Sequence, residues 1–127
     1  MNLSPAELTA AIQTAQGVVA PLAPTGVDLA AELDAVQNII IHYESGGNPL
    51  AVNMEDRNAK ACMPSCGLMQ IVKTTWDAHK QPGYDQDATD PVSNIICGLV
   101  YIYARYGSTA NVPGVKAVRA GGSYVGY

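Results

Sequence analysis

Residues 39–49 read Ile-Ile-Ile-His-Tyr-Glu-Ser-Gly-Gly-Asn-Pro and close an apolar helical run that begins at Leu29. The helix must stop there, because two glycines and a proline follow Ser45 and cannot continue it. Glu44 therefore stands on the last helical turn, where the helix dipole and apolar neighbours both favour a protonated carboxyl. Such a carboxyl can act as a general acid near neutral pH. We take Glu44 as the centre of a candidate site, against the simpler interpretation of a solvated residue at a helix end.

The composition describes one globular domain. The chain has 127 residues, of which 48% are hydrophobic, and this length is enough to bury a single core. Its net charge of −4 and the lack of a Lys/Arg cluster argue against nucleic acid as a partner. The sequence contains no apolar run long enough for a membrane span, and residues 1–5 lack the features of a signal peptide.

The first part of the chain carries a clear helix start and a clear break. Ser4 and Glu7 form a capping box with proline at the first helical position, which predicts a helix over residues 5–19. Two prolines and a glycine between residues 21 and 26 then interrupt the chain. The predicted division is 1–26 for an N-terminal helix and linker and 27–127 for the main domain.

The main domain shows helical rather than strand periodicity. Apolar side chains recur at helical spacing over residues 29–43 and again over residues 92–106, and a short helix is expected near Trp76. The sequence therefore predicts a mainly α fold.

Two further blocks accompany the acid. Residues 67–71 read Gly-Leu-Met-Gln-Ile, and residues 90–95 read Asp-Pro-Val-Ser-Asn-Ile at the start of the later helix. With the Glu-Ser-Gly-Gly-Asn-Pro block, they resemble the soluble lytic transglycosylase (SLT) domain of the lysozyme-like superfamily, as it occurs in bacteriophage tail tape-measure proteins and secreted actinobacterial enzymes. The resemblance covers roughly residues 29–127. It implies a small, mainly helical α+β lysozyme-like domain with a substrate cleft, and it allows a short β-hairpin beside the second block.

The resemblance also assigns site residues. It implies that Glu44 is the catalytic acid and that Ser45 orients either this acid or the N-acetyl group of the substrate. The other positions that it places at the glycan cleft are Gly67, Met69 and Gln70. Two tyrosines complete the predicted substrate-binding set: Tyr101, whose amphipathic ring can lean into the cleft, and Tyr124. Many SLT domains carry an Ala-Tyr-Asn-Ala-Gly block whose tyrosine approaches the acid. This sequence lacks that block, so either Tyr124 or Tyr127 is expected to supply the hydroxyl.

The implied activity is cleavage of the bond between N-acetylmuramic acid and N-acetylglucosamine in peptidoglycan, with formation of a 1,6-anhydromuramoyl end. Glu44 would act as both acid and base, without a cofactor. The alternatives are a hydrolytic muramidase that uses a loop aspartate such as Asp56, and an inactive glycan-binding module of a phage tail. The expected partner is the glycan strand, bound by a monomeric domain. The expected location is extracellular, in the cell wall or on a virion.

The three cysteines are the remaining chemical feature. Zinc needs about four ligands, and Cys62, Cys66 and Cys97 have no histidine motif to join them, so we expect no metal. In a wall-degrading enzyme they suit one disulfide and one free thiol. Cys66 could pair with Cys97 or close a small loop with Cys62.

Overall fold

The first helix, α1, spans Pro5–Val19, as its capping signal predicts. In the computed structural model, which describes residues 2–53 and 65–127, the Ser4 Oγ accepts a hydrogen bond from the backbone N–H of Glu7. The Glu7 carboxylate accepts one from the N–H of Ser4, at 2.8 Å. A stripe of apolar side chains along α1 is buried against the later helix that forms the centre of the core.

The central helix carries Glu44. It begins as α2, Leu29–Asp34, continues as a π-helical segment, Ala35–Ile41, and ends as α3, His42–Glu44. The Asp28 side chain caps its start by accepting the N–H of Ala31 at 3.1 Å. The helix is confirmed, but its wider π-helical turn departs from the regular helix that the periodicity predicts. Such turns occur inside α-helices, often near functional sites.

The end of the central helix follows the glycine signal. The N–H groups of Ser45 and Gly46 both donate to the carbonyl of Ile41, at 3.0 and 2.9 Å. Gly46 and Gly47 then take positive φ angles of 64° and 89°, which side chains with a Cβ rarely adopt. The chain therefore turns sharply just after Glu44.

A two-stranded hairpin follows, as the sequence allows. Strand β1, Val52–Asn53, pairs antiparallel with β2, Ser65–Cys66, in the register Val52 with Cys66. After β2 the chain makes a turn over residues 67–70 and returns to pair Ile71 with Cys66. The turn over residues 67–70 thus continues directly from the hairpin.

The last third of the chain supplies the core helix and the final helix. Helix α4 spans Lys73–His79, α5 spans Pro91–Tyr106, and α6 spans Pro113–Arg119. A 3-10 turn, Thr109–Asn111, joins α5 to α6. The Asp90 side chain caps α5 by accepting the N–H of Ser93. Residues 123–127 then follow without regular secondary structure, and we call them the tyrosine segment.

The core joins α1 to the rest of the chain. Helix α5 packs against α1 and α4, and α6 packs against the π-helical segment. The mainly helical fold class is confirmed. The boundary between residues 26 and 27 stays a prediction, although α1 shares the common core. Within residues 2–53 and 65–127 we find no helix with the length and apolarity to cross a membrane. The buried apolar side chains are Leu8, Ile12, Ala15, Val19, Ala35, Val36, Ile39, Ile40, Ile41, Leu68, Met69, Ile71, Ile95, Ile96, Cys97, Leu99, Ile102, Val112 and Val115.

Candidate active site

The carboxylate of Glu44 is half-buried at the end of α3, and a tyrosine hydroxyl binds it directly. The Oη of Tyr124 donates to the Oε2 of Glu44 at 2.6 Å. Burial, followed by the neighbouring Glu44 charge, raises the pKa of Tyr124 far above its usual value. The hydroxyl therefore keeps its proton and remains a donor. Of the two tyrosines that the sequence offers for this position, the geometry places Tyr124 on the acid.

Packing on two sides holds the ring of Tyr124. The ring of Tyr43 stacks on it nearly parallel, with 5.0 Å between centroids and 6° between planes. On the other side lies Gly114, where an added Cβ would come within 2.5 Å of the Tyr124 Cε1 atom. Sequence reasoning did not assign Tyr43 to the site. The signal in the sequence was its position next to Glu44. In the structure its side chain remains 52% exposed.

Tyr127 binds the neighbouring turn rather than the acid. Its hydroxyl donates to the backbone carbonyl of Met69 at 2.8 Å. Burial raises the pKa of Tyr127 well above its usual value, and the charge of Glu44 adds to this effect. The Tyr127 hydroxyl is therefore also a permanent donor near neutral pH, positioned between the acid and the turn.

Ser45 connects the end of the central helix to the same turn. Its Oγ donates to the carbonyl of Leu68 at 2.7 Å and accepts the N–H of Gly47 at 3.3 Å. These bonds fix the last turn of the helix against the Gly-Leu-Met-Gln block, and so fix the direction in which Glu44 points. A contact between Ser45 and the N-acetyl group of a substrate stays a prediction.

The turn over residues 67–70 is built around Asn94 of α5, which sequence reasoning did not single out. The Asn94 amide donates to the carbonyls of Cys66 and Ala88, at 3.1 and 2.8 Å, and accepts the N–H of Met69 at 2.8 Å. Gly67 has a φ of 81°, and a Cβ there would come within 2.2 Å of the Asn94 side chain. The signal in the sequence was a polar residue within an otherwise apolar helix. In the structure this residue is fully buried and its amide group is hydrogen-bonded.

Within this turn, Met69 contributes its backbone carbonyl, whereas Gln70 contributes its side chain. The Met69 side chain is fully buried against Gly98, so its contribution is the carbonyl that binds Tyr127. Gln70 is half-buried, with a φ of 51° in the left-handed region. Its amide donates to the carbonyls of Gly67 and Ala51, at 2.9 and 3.0 Å. A non-glycine residue held in this conformation is typical of functional sites.

Gln70, Tyr101 and Tyr127 line one small cleft of about 120 Å³. The remaining lining residues are Ile71, Val72 and Thr75. Tyr101 also packs its ring edge-on against His79 and tilts towards Tyr127, with centroids 5.7 Å apart in both pairs. Gln70 and Tyr101 thus share this cleft with Tyr127, whereas Glu44 and Tyr124 bind each other and are not among its lining residues.

Comparison with known proteins now decides the family. The family model for the Transglycosylase SLT domain matches residues 33–126. This chain belongs to the SLT domain family. It is also 51% identical over 88 residues to the uncharacterized protein YqbO of Bacillus subtilis strain 168. That alignment covers 69% of this chain and 6% of YqbO, so the chain spans a small part of its relative. No solved structure matches it.

Membership in the SLT family indicates a peptidoglycan glycosidase of the lytic transglycosylase type. The matched region begins just before the π-helical segment and includes Glu44, the hairpin, α5 and the tyrosine segment up to residue 126. It therefore contains nearly every residue of the candidate site. The likeness to phage variants stays a prediction.

Of the two cysteine pairings that the sequence left open, the one between Cys66 and Cys97 is not formed in this SLT domain. Both carry free thiols, and burial raises the pKa of Cys66 and raises that of Cys97 to about 12. Disulfide exchange needs the thiolate, which burial disfavours here. Cys62 lies outside the described residues, as does the loop it would close. Over residues 2–53 and 65–127, no group of three or more Cys, His, Asp or Glu side chains could hold a metal ion.

A larger cavity than the cleft of Gln70 and Tyr101 lies away from Glu44. It measures about 790 Å³ and is lined by the end of α1, the linker and the start of α2. Its lining is mainly small and apolar, with Gln13 and Gln16 among the polar exceptions. We propose that the chemistry involves Glu44 and the smaller cleft, because Glu44 accepts the Tyr124 hydroxyl and because hydroxyl and amide groups line the cleft.

Proposed function

We propose that this SLT domain cleaves the glycan strand of peptidoglycan as a lytic transglycosylase, with Glu44 as both general acid and general base. The observation that carries the proposal is the 2.6 Å hydrogen bond from Tyr124 to Glu44. Preorganised donors aimed at developing charge are a major source of transition-state stabilisation. The location that follows is the cell wall, reached from outside the cell or from a virion.

In the first step the protonated Glu44 donates its proton to the glycosidic oxygen. The bond between that oxygen and C1 of the muramoyl sugar breaks, and the leaving glucosaminyl sugar departs with a hydroxyl. The N-acetyl oxygen of the muramoyl sugar stabilises the positive C1. Glu44 is now a carboxylate, and the Tyr124 hydroxyl donates to it, so the interaction strengthens as the charge forms.

In the second step the Glu44 carboxylate removes the proton of the C6 hydroxyl. The C6 oxygen then bonds to C1, and the product is a 1,6-anhydromuramoyl end. Glu44 returns to its protonated form, and no water is consumed. A single carboxylate suffices for this sequence, whereas ordinary hydrolytic glycosidases use a pair.

Mass spectrometry of fragments released from purified peptidoglycan tests the proposal. We expect anhydromuramoyl ends, which are lighter than hydrolysed ends by one water. Reducing muramic acid ends would instead favour the hydrolytic alternative and direct attention to Glu55 and Asp56, which lie outside the described residues. A well-folded protein that releases nothing would favour the inactive glycan-binding module.

A further inference from the structure

The tyrosine segment is attached to the domain at three points. At its start, Gly121 has a φ of 86° and the N–H of Gly122 donates to the carbonyl of Ala117 at 2.8 Å, which closes α6. In the middle, Tyr124 binds Glu44. At the far side, Tyr127 binds the Met69 carbonyl. The bond to the acid therefore lies between two structural attachments.

The attachment at Tyr127 rests on a rigid base. Met69 is fully buried, and its N–H is held by the Asn94 side chain of α5. Its side chain packs so closely on Gly98 that an added Cβ there would lie 2.6 Å from the Met69 Sδ. Helix α5 thus holds Met69 through both its N–H and its side chain, and this fixes the Met69 carbonyl that accepts the Tyr127 hydroxyl.

The opposite side of the segment is equally close to α6. A Cβ at Gly114 would lie 2.3 Å from the carbonyl oxygen of Val125 and 2.5 Å from the Tyr124 ring. An ideal Cβ at Gly126 would lie 4.0 Å from the Oε2 of Glu44, so the backbone of the segment itself passes close to the acid. A small displacement of the segment would therefore move the Tyr124 hydroxyl away from Glu44.

We propose that Tyr127 is a positioning residue, which holds the tyrosine segment on the Met69 carbonyl so that the Tyr124 hydroxyl meets Glu44. This inference rests on the proposed function of the same site. Tyr127 does not touch the reacting atoms in this scheme. It acts through Tyr124, and this dependence separates it from a residue that merely stabilises the fold.

A double-mutant cycle tests this dependence, with soluble glycan strands as substrate and kcat and KM measured separately. Removing the hydroxyl in Tyr124→Phe should lower kcat about tenfold, since a charge-assisted hydrogen bond is lost. Tyr127→Phe should lower kcat about fivefold, with KM within about twofold of the wild type. Because Tyr127 acts through Tyr124, the double variant should be no slower than Tyr124→Phe. The pH–rate profiles of both single variants should shift in the same direction.

Tyr103→Phe is the matched control. The Tyr103 hydroxyl faces Glu32. Glu32 and Glu44 lie about 18 Å apart along the central helix at the usual rise per residue. Its removal should change stability without changing kcat. Two results would overturn the inference: a wild-type kcat in Tyr127→Phe, or losses that multiply in the double variant. Full activity in Glu44→Gln would instead contradict the proposed function. A failure of the Tyr127 inference and a failure of the proposed function can therefore be told apart.

A second variant protects the test against a folding defect in Tyr127→Phe. Gly114→Ala keeps both tyrosines but forces the segment away from α6. If the segment positions Tyr124, kcat should fall about as far as in Tyr124→Phe, about tenfold, while thermal melting shows a folded protein. An unchanged kcat in folded Gly114→Ala would contradict the inference on its own.

Discussion

The central helix carries two carboxylates in contrasting surroundings. Glu44, at its end, is half-buried and accepts the Tyr124 hydroxyl beside a cleft. Glu32, near its start, is 3% exposed, and its Oε2 accepts the backbone N–H of Thr109 at 2.9 Å. Its Oε1 has no hydrogen-bond partner among the described residues. Burial raises the pKa of Glu32, while the Thr109 N–H, the Tyr103 hydroxyl and the charge of Arg119 act against that rise.

The difference teaches that burial alone does not mark the catalytic acid. Glu32 is the more enclosed group, and its Oε2 is held by the N–H of Thr109, although a cavity of about 300 Å³ lies beside it. Glu32 connects the central helix to the turn before α6, and α6 in turn leads to the tyrosine segment. Glu44 combines partial burial with a permanent hydroxyl donor, and it lies within residues 33–126, which the SLT family model matches, whereas Glu32 lies outside them. We therefore propose a chemical role for Glu44 and a structural role for Glu32.

The largest effect that tests the contrast between Glu44 and Glu32 is expected when each carboxylate is neutralised in turn. Glu44→Gln should lower the rate of glycan cleavage by a factor of about 10² or more, because proton transfer is lost while the shape is kept. Glu32→Gln retains an acceptor for the Thr109 N–H, so its activity should stay within about twofold of the wild type. The measurement is the rate of fragment release at one glycan concentration, with circular dichroism to verify folding.

The opposite result in either variant would reverse the assignment. Residual activity near the wild-type level in Glu44→Gln would remove it from the reaction. A large loss in folded Glu32→Gln would show that the distant carboxylate contributes to more than the fold. Glycan binding should survive in Glu44→Gln, and this property separates a catalytic defect from a damaged cleft.

A second test concerns stability rather than rate. Glu32→Ala leaves the buried N–H of Thr109 without its acceptor, so the free energy of unfolding should fall by about 1–3 kcal/mol. Urea unfolding measures this change, with Glu32→Gln as the matched control that restores the acceptor. A stability in Glu32→Ala equal to that of the wild type would mean that the Thr109 turn finds another partner.

Local signals in the sequence were sufficient for most of the fold. The capping box of α1 and the glycines after Glu44 act over a few residues, so their consequences could be derived without tertiary structure. The π-helical segment could not be predicted, because nothing in Ala-Val-Gln-Asn-Ile-Ile-Ile distinguishes it from a regular helix. The pairing of the cysteines could not be deduced from the sequence, and of the two pairings left open the one between Cys66 and Cys97 is not formed.

The candidate site was predictable where a motif carries it. Glu44, Ser45 and the Gly-Leu-Met-Gln block were proposed as site residues because their motifs resemble those of the SLT domain, and their chemical roles stay predictions. The choice between Tyr124 and Tyr127 needed the path of the tyrosine segment, which depends on Gly114 and on the Met69 carbonyl. Asn94 and Tyr43 were not assigned to the site, because they contribute through contacts with residues distant in sequence, the 67–70 turn for Asn94 and Tyr124 for Tyr43.

The smallest expected effect is the dependence of stability on pH, and it distinguishes Glu32 from the exposed acids. Because the folded pKa of Glu32 is raised, its contribution is fully present below the usual glutamate pKa and is lost as pH rises through the folded value. Wild-type stability relative to Glu32→Gln should therefore be greater at pH 5 than at pH 7. Glu7 gives the opposite sign, since hydrogen bonds from Ser4 lower its pKa and its contribution is lost as pH falls. Urea unfolding of wild type and Glu32→Gln at pH 5 and 7, and of wild type and Glu7→Gln at pH 3 and 5, measures the two signs. The same pH trend in both comparisons would show that Glu32 is not buried as described.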